Sequence, residues 1–247
     1  MGEDGPAMLS SVRTVLFRPA EFFQRHADRL DGPHGAALAG ILSVALTGIL
    51  ALTLRLFARQ FTGTTTVENP SYPGEEFCAD DPLARTTPNA CDAPPTVNRD
   101  ISALLWEESV DLLPVAFVGF LILWLVLAVV LHVGAWLADG TGRFGETMAV
   151  TAFGMVPSLV ATAVGGAMLV VLAAQADLSG SSTEVLLAEL RGFQAGVSGL
   201  AFLLVQIGAG AWQAFLWAGG LRVTHEISRR AALTVGVAVA VVLVLLS

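Results

Sequence analysis

Residues 136–160, WLADGTGRFGETMAVTAFGMVPSLV, hold the reading on which the fold turns. Within them 140–145 spell GTGRFG, a match to the G-x-G-x-x-G fingerprint of a loop that cradles a dinucleotide pyrophosphate. That fingerprint works behind a β-strand and ahead of a soluble helix, with an acidic residue about 20 positions on. Here one apolar block ends at Ala138 and another begins at Thr147, and Gly165 and Gly166 stand where the acid is needed. The stretch therefore reads as a hairpin between two membrane spans. Its glycines turn the chain, Arg143 anchors the turn to headgroups and Phe144 packs back. No cofactor is expected.

The same pattern extends outward. No Asp, Glu, Lys, Arg or His occurs in 35–54, 147–176, 192–221 or 231–247, and only His132 interrupts 112–138. About 20 mainly apolar residues cross a bilayer core as a helix. Four blocks reach that length and the last has 17 residues, short but sufficient. With 54% hydrophobic and 14% charged residues, and a mean hydropathy of +0.69, the chain lacks the charge to cover a soluble surface. The expected fold is an all-α polytopic membrane protein, a five-helix transmembrane bundle with an N-terminal amphipathic segment and an external loop insertion. A cytoplasmic segment at 1–33 precedes a membrane domain at 34–247. The spans fall at about 35–57, 112–137, 147–174, 195–220 and 231–246, with the external loop at 60–105.

Arginine placement sets the expected orientation. All 13 basic residues are Arg. Eight lie on the N-terminal side of the membrane, in the first segment (including Arg13, Arg18 and Arg25), at Arg143, and at Arg222, Arg229 and Arg230. The other side holds five, so the cell-membrane topology reads as N-terminus cytoplasmic and C-terminus external. Cys78 and Cys91 both fall in the external segment and read as a disulfide in an oxidising compartment. That segment is either a small clipped lobe or largely disordered. Its Asn69 precedes Pro70, which blocks glycosylation. Trp106, Trp136 and Trp217 read as interface-belt residues, Trp124 and Trp212 as packing residues. The net charge of −8, without lysine, argues against a nucleic-acid partner and points to a GC-rich, salt-loving source.

Met8, Leu9, Val12, Leu16 and Phe17 fall near helical spacing, and Pro19 can open a second short helix carrying Glu21, Phe22, Phe23 and Arg25. Such a segment lies either in the headgroup zone or against the bundle. Ser181 and Glu184 have capping-box spacing for a short external helix. His132, Gln206 and Gln213 are the candidate intramembrane polar contacts. The glutamines, seven apart, share a face and act either as interhelical hydrogen-bond partners, the preferred reading, or as the lining of a polar cavity. Pro157 should kink the third span. The four His (26, 34, 132 and 225) show no metal-ligand spacing. His225, next to Glu226, reads as a solvated loop residue. No nucleophile elbow or intramembrane aspartate pair appears, so no enzyme and no metal are expected.

The order FRPAEFF, with Pro19, Phe22 and Phe23, then a loop with Gly140, Gly142 and Phe144, then a small-residue helix with Pro157, resembles the prokaryotic branch of the Yip (Ypt-interacting protein) family. With the composition, the resemblance identifies the chain as a haloarchaeal member. It covers nearly the whole chain, with 60–105 as an insertion. It implies a five-span bundle with a cytoplasmic N-terminus. Eukaryotic relatives act in membrane traffic with Rab-type GTPases. Their Asp-Leu-Tyr-Gly-Pro motif is absent, and the only tyrosine is Tyr72 in the external segment. The expected function is a non-enzymatic scaffold that organises the bilayer or recruits a membrane or cytoplasmic protein, or a second copy of itself. Transport and an accessory role in an envelope complex are the alternatives. Under the scaffold reading, deleting 1–30 should leave a folded bundle that has lost its association.

Overall fold

The computed structural model describes residues 14, 17–79, 90–176 and 197–246. Arg13, most of the first amphipathic stretch and the 181–195 helix lie outside the described residues. The elements run α1 (Pro19–Arg25), α2 (Gly32–Ala58), β1 (Thr64–Glu68), α3 (Glu75–Ala79), β2 (Thr96–Asp100), α4 (Ile101–Val110), α5 (Leu112–Leu137), α6 (Phe144–Gly154), α7 (Val156–Gln175), α8 (Val197–Thr224) and α9 (Arg229–Leu246).

Among the described residues, four helical stretches are long and apolar enough to cross a membrane: Gly32–Ala58, Ile101–Leu137, Phe144–Gln175 and Gly199–Thr224. In each, no more than 22% of the most apolar window is buried. Ile41, Val115 and Leu137 are at least 66% exposed, while the interior is filled largely by alanine, including Ala39, Ala128, Ala135, Ala149 and Ala232. This distribution is that of a multi-pass membrane protein: bulky aliphatic groups face lipid, and small ones let backbones approach. Gly35 illustrates it, because a Cβ there would lie 2.7 Å from the Ala149 backbone nitrogen, so α2 and α6 touch almost backbone to backbone.

Local chemistry sets the ends. Asp31 caps α2 by accepting the His34 N–H at 2.9 Å, and that bond, with one from the His34 ring, holds its carboxyl below the usual carboxylate range. The kink expected at Pro157 is a break. α6 stops at Gly154 and α7 restarts with Pro157 in its first turn, where the missing N–H costs no helical bond. The second span extends further than its apolar block, because α4 leads into α5 from Ile101. The Arg99 guanidinium grips Glu107 on α4 with two bonds of 2.6 and 3.0 Å, and Arg55 lies 5.1 Å from the Trp106 ring centre.

The 60–105 insertion contains a lobe built on an antiparallel β1–β2 ribbon, with Thr64 opposite Asp100 and Glu68 opposite Thr96. Cys78 and Cys91 are disulfide-bonded, their Cα atoms 5.5 Å apart. Asn69 organises the turn, accepting the Ser71 N–H at 3.0 Å and donating to the Pro94 carbonyl at 2.8 Å.

Candidate functional site

At the end of the bundle opposite this lobe, the 139–143 loop and the α8–α9 loop dock on each other. Thr141 N–H donates to the His225 carbonyl at 3.2 Å. A Cβ on Gly142 would lie 2.4 Å from the Thr224 carbonyl oxygen, and one on Gly140 would lie 3.0 Å from the His225 Cβ. Gly145 meets α2 in the same way, 2.9 Å from the Gly32 nitrogen. The expectation that these glycines turn the chain is corrected. The left-handed backbone falls on Asp139 (φ 62°) and, across the contact, on Glu226 (φ 56°). The glycines of GTGRFG instead provide clearance for neighbouring backbone.

Behind this contact lies a polar cluster. The Thr147 hydroxyl is 3.0 Å from His132 Nδ1 and 2.7 Å from His225 Nε2, and the two imidazole centres are 5.2 Å apart. Phe144 meets the His132 ring edge-on at 5.3 Å. A hydroxyl carries one proton and two lone pairs, so Thr147 donates to at most one imidazole, and it accepts from both where its proton goes to the Arg143 carbonyl 3.5 Å away. His225 is 1% exposed, which corrects the solvated reading. Its burial, with His132 nearby, pushes the imidazole below its ordinary pKa, partly opposed by Glu146. Its Nδ1 has no partner among the described residues. Of the three residues the sequence marks only His132: His225 and Thr147 lie 78 positions apart and meet only when the loops dock.

The neighbouring carboxylate is already occupied. Glu146 accepts the Arg143 backbone N–H at 2.9 Å and its guanidinium at 3.0 and 3.1 Å, closing the start of α6. No group of three His, Cys, Asp or Glu able to hold a metal exists among the described residues. The geometry is that of a tie between helices, with two rings held by one hydroxyl.

Of the two settings open to α1, the structure shows packing against the bundle. Phe23 is fully buried, Phe22 is 8% exposed, and both rings meet Phe153 edge-on at 5.8 and 5.2 Å. Pro19 covers Gly219, whose Cβ position is only 2.8 Å away. Arg18 and Arg25 point outward and pair with Glu21, Arg18 at 3.5 Å. Trp217 is corrected from belt residue to core: it is fully buried against Gly154 and donates to the Thr151 carbonyl at 3.4 Å. Trp136 is 67% exposed at the end of α5, and buried Trp124 donates to the Met148 carbonyl at 3.1 Å.

Gln213 is buried and donates to Ser158 Oγ at 2.7 Å, across α8 to α7. Gln206 is exposed on the same helix, and both glutamines line a cavity of about 360 Å³ with Ser158, Thr162 and Leu127. Arg222 and Arg229 line a separate cavity beside α1, and Arg230 is exposed.

Buried alanines and glycines, lipid-facing aliphatics and a tied polar end define a polytopic α-helical membrane protein. The model of the Yip1 domain matches residues 13–247, so the chain belongs to the Yip family. No curated protein and no solved structure matches it.

Proposed function

We propose that this chain is a non-enzymatic membrane scaffold of five spans, with its N-terminus in the cytoplasm and its C-terminus outside. It organises the bilayer or recruits a protein partner through its cytoplasmic face. The observation that carries this reading is the docking of three separate segments into one platform. α1 sits on Phe153 and Gly219, and the 139–143 loop sits on the loop ending α8. A recognition surface needs such a rigid base. The fifth span is supported by α9 running back along α8: Gly236 packs on Ala214, and Gly210 on Val244. Acidic, lysine-free composition fits a haloarchaeal source.

Deleting 1–30 is a poor test, because it removes buried Phe22, Phe23 and Leu30. The exposed charges of the platform serve better. Arg25→Gln, Arg143→Gln and Arg230→Gln together should leave the melting profile near that of the parent and abolish the proteins retained through gentle purification. Undiminished association, read by mass spectrometry, would refute the platform as the recruiting surface. A second reading, transport, is favoured only by the cavity that Gln206 and Gln213 share. Liposome flux that disappears in Gln206→Leu/Gln213→Leu would favour it over the scaffold.

A further inference from the structure

The cavity beside α1, of about 410 Å³, is lined by Arg18, Glu21, Arg222 and Arg229 and by the apolar Pro19, Phe215 and Leu233. Arg18 is neutralised by Glu21, which also holds Arg25. Arg222 and Arg229 have no acidic partner among the described residues. The 18-residue helix α9 starts at Arg229, so its positive end adds to the field at the same cavity. Two unneutralised guanidiniums converging on one cavity form a site for a phosphate group.

A free anion would leave the rest of the site unexplained. Phe215 and Leu233 also line a second groove, of about 360 Å³, between α8 and α9. It is apolar throughout and continues past Gly210 and Ala240 to Leu245, with Ala211 at its edge. Leu233 and Leu245 are 12 positions apart on one helix, about 18 Å of rise. One leaflet contributes roughly 15 Å of the hydrocarbon core. The charged cavity and the apolar groove thus follow each other along α9, in the order in which a lipid presents headgroup and chain.

We propose that they form a single binding site for one anionic phospholipid. Arg222 and Arg229 hold its phosphate, and one acyl chain lies along the α8–α9 groove. The proposal rests on the membrane-facing reading above and names the lipid that this face binds. It does not require that a protein be recruited.

Native mass spectrometry of the full-length protein, loaded with phosphatidylglycerol or phosphatidylcholine, tests it. One phosphatidylglycerol should be retained about tenfold better than phosphatidylcholine. Arg222→Gln/Arg229→Gln should remove that preference. Ala211→Phe, which fills the groove without touching an arginine, should lower retention, whereas Arg143→Gln should leave it unchanged. Melting curves identify any variant that fails to fold, and either the arginine or the groove variant alone then decides the matter. Equal retention of the two lipids, an equal loss in Arg143→Gln, or displacement by millimolar inorganic phosphate would overturn the proposal. The first two outcomes indicate nonspecific lipid, the third an anion site only. Loss of protein partners in the scaffold test is a separate readout, so each idea can fail without the other.

Discussion

Gly142 and His225 lie so close that a Cβ on the glycine would be 2.8 Å from both Cγ and Nδ1 of the imidazole. This contact joins the hairpin between the second and third spans to the hairpin after α8. It also encloses the ring that Thr147 holds.

Gly142→Ala should therefore cost on the order of 2–3 kcal/mol, because the methyl meets the Thr224 carbonyl as well as the ring and backbone must shift. Gly208→Ala is the control: its Cβ position is open, and it should change stability by less than about 1 kcal/mol, favourably if at all. Thermal melts in detergent read both. Equal effects would mean that the close approach does not constrain the fold.

Thr147→Val keeps the shape and removes the hydroxyl that His132 and His225 share. The buried His225 ring would then lose its hydrogen bond at Nε2, at a cost of about 1–3 kcal/mol. Thr147→Ser should restore most of the loss. A valine variant as stable as the parent would show that the shared hydroxyl does not stabilise the cluster.

Stability should fall on mild acidification. Burial lowers the His225 pKa in the folded chain, while in the unfolded chain it stays near its ordinary value of about 6.5. The unfolded chain therefore takes up the proton first, and stability is lost as pH drops from about 6.5 toward the lower folded value. His225→Asn should melt lower at pH 7.5 but show a smaller further drop at pH 5.5. Parallel pH profiles would exclude His225 as the titrating group.

Trp217→Ala should cost about 3–5 kcal/mol, as expected for a fully buried ring. Trp136→Ala, at a position 67% exposed, should cost less than about 1 kcal/mol in detergent. The reverse order would return Trp217 to the membrane interface.

The orientation has its own test. Cys78 and Cys91 are bonded to each other, so an impermeant maleimide should label whole cells only after reduction. Labelling that requires cell lysis would invert the topology.

The amino-acid sequence by itself determined the class of this protein and its family. Uncharged blocks of 20 or more residues have the length of a helix that crosses lipid and satisfies its own backbone, and that inference needs no partner residue. The same spans, with no acid about 20 positions past GTGRFG, are why that stretch reads as a hairpin and not as a nucleotide loop. The two cysteines were legible because a compartment and a spacing sufficed. What the glycines do was not legible, since clearance is a property of two surfaces and only one of them is local. His225 and Trp217 were misplaced for the same reason: each sits at a span end in sequence, where solvent and headgroups are the default. The tertiary structure decided otherwise, because docking the two hairpins and seating Trp217 on Gly154 turns those positions inward. Interior positions in this bundle are set by which backbones can touch. That depends on pairs of small residues, such as Gly35 and Ala149, from distant segments that only folding brings together.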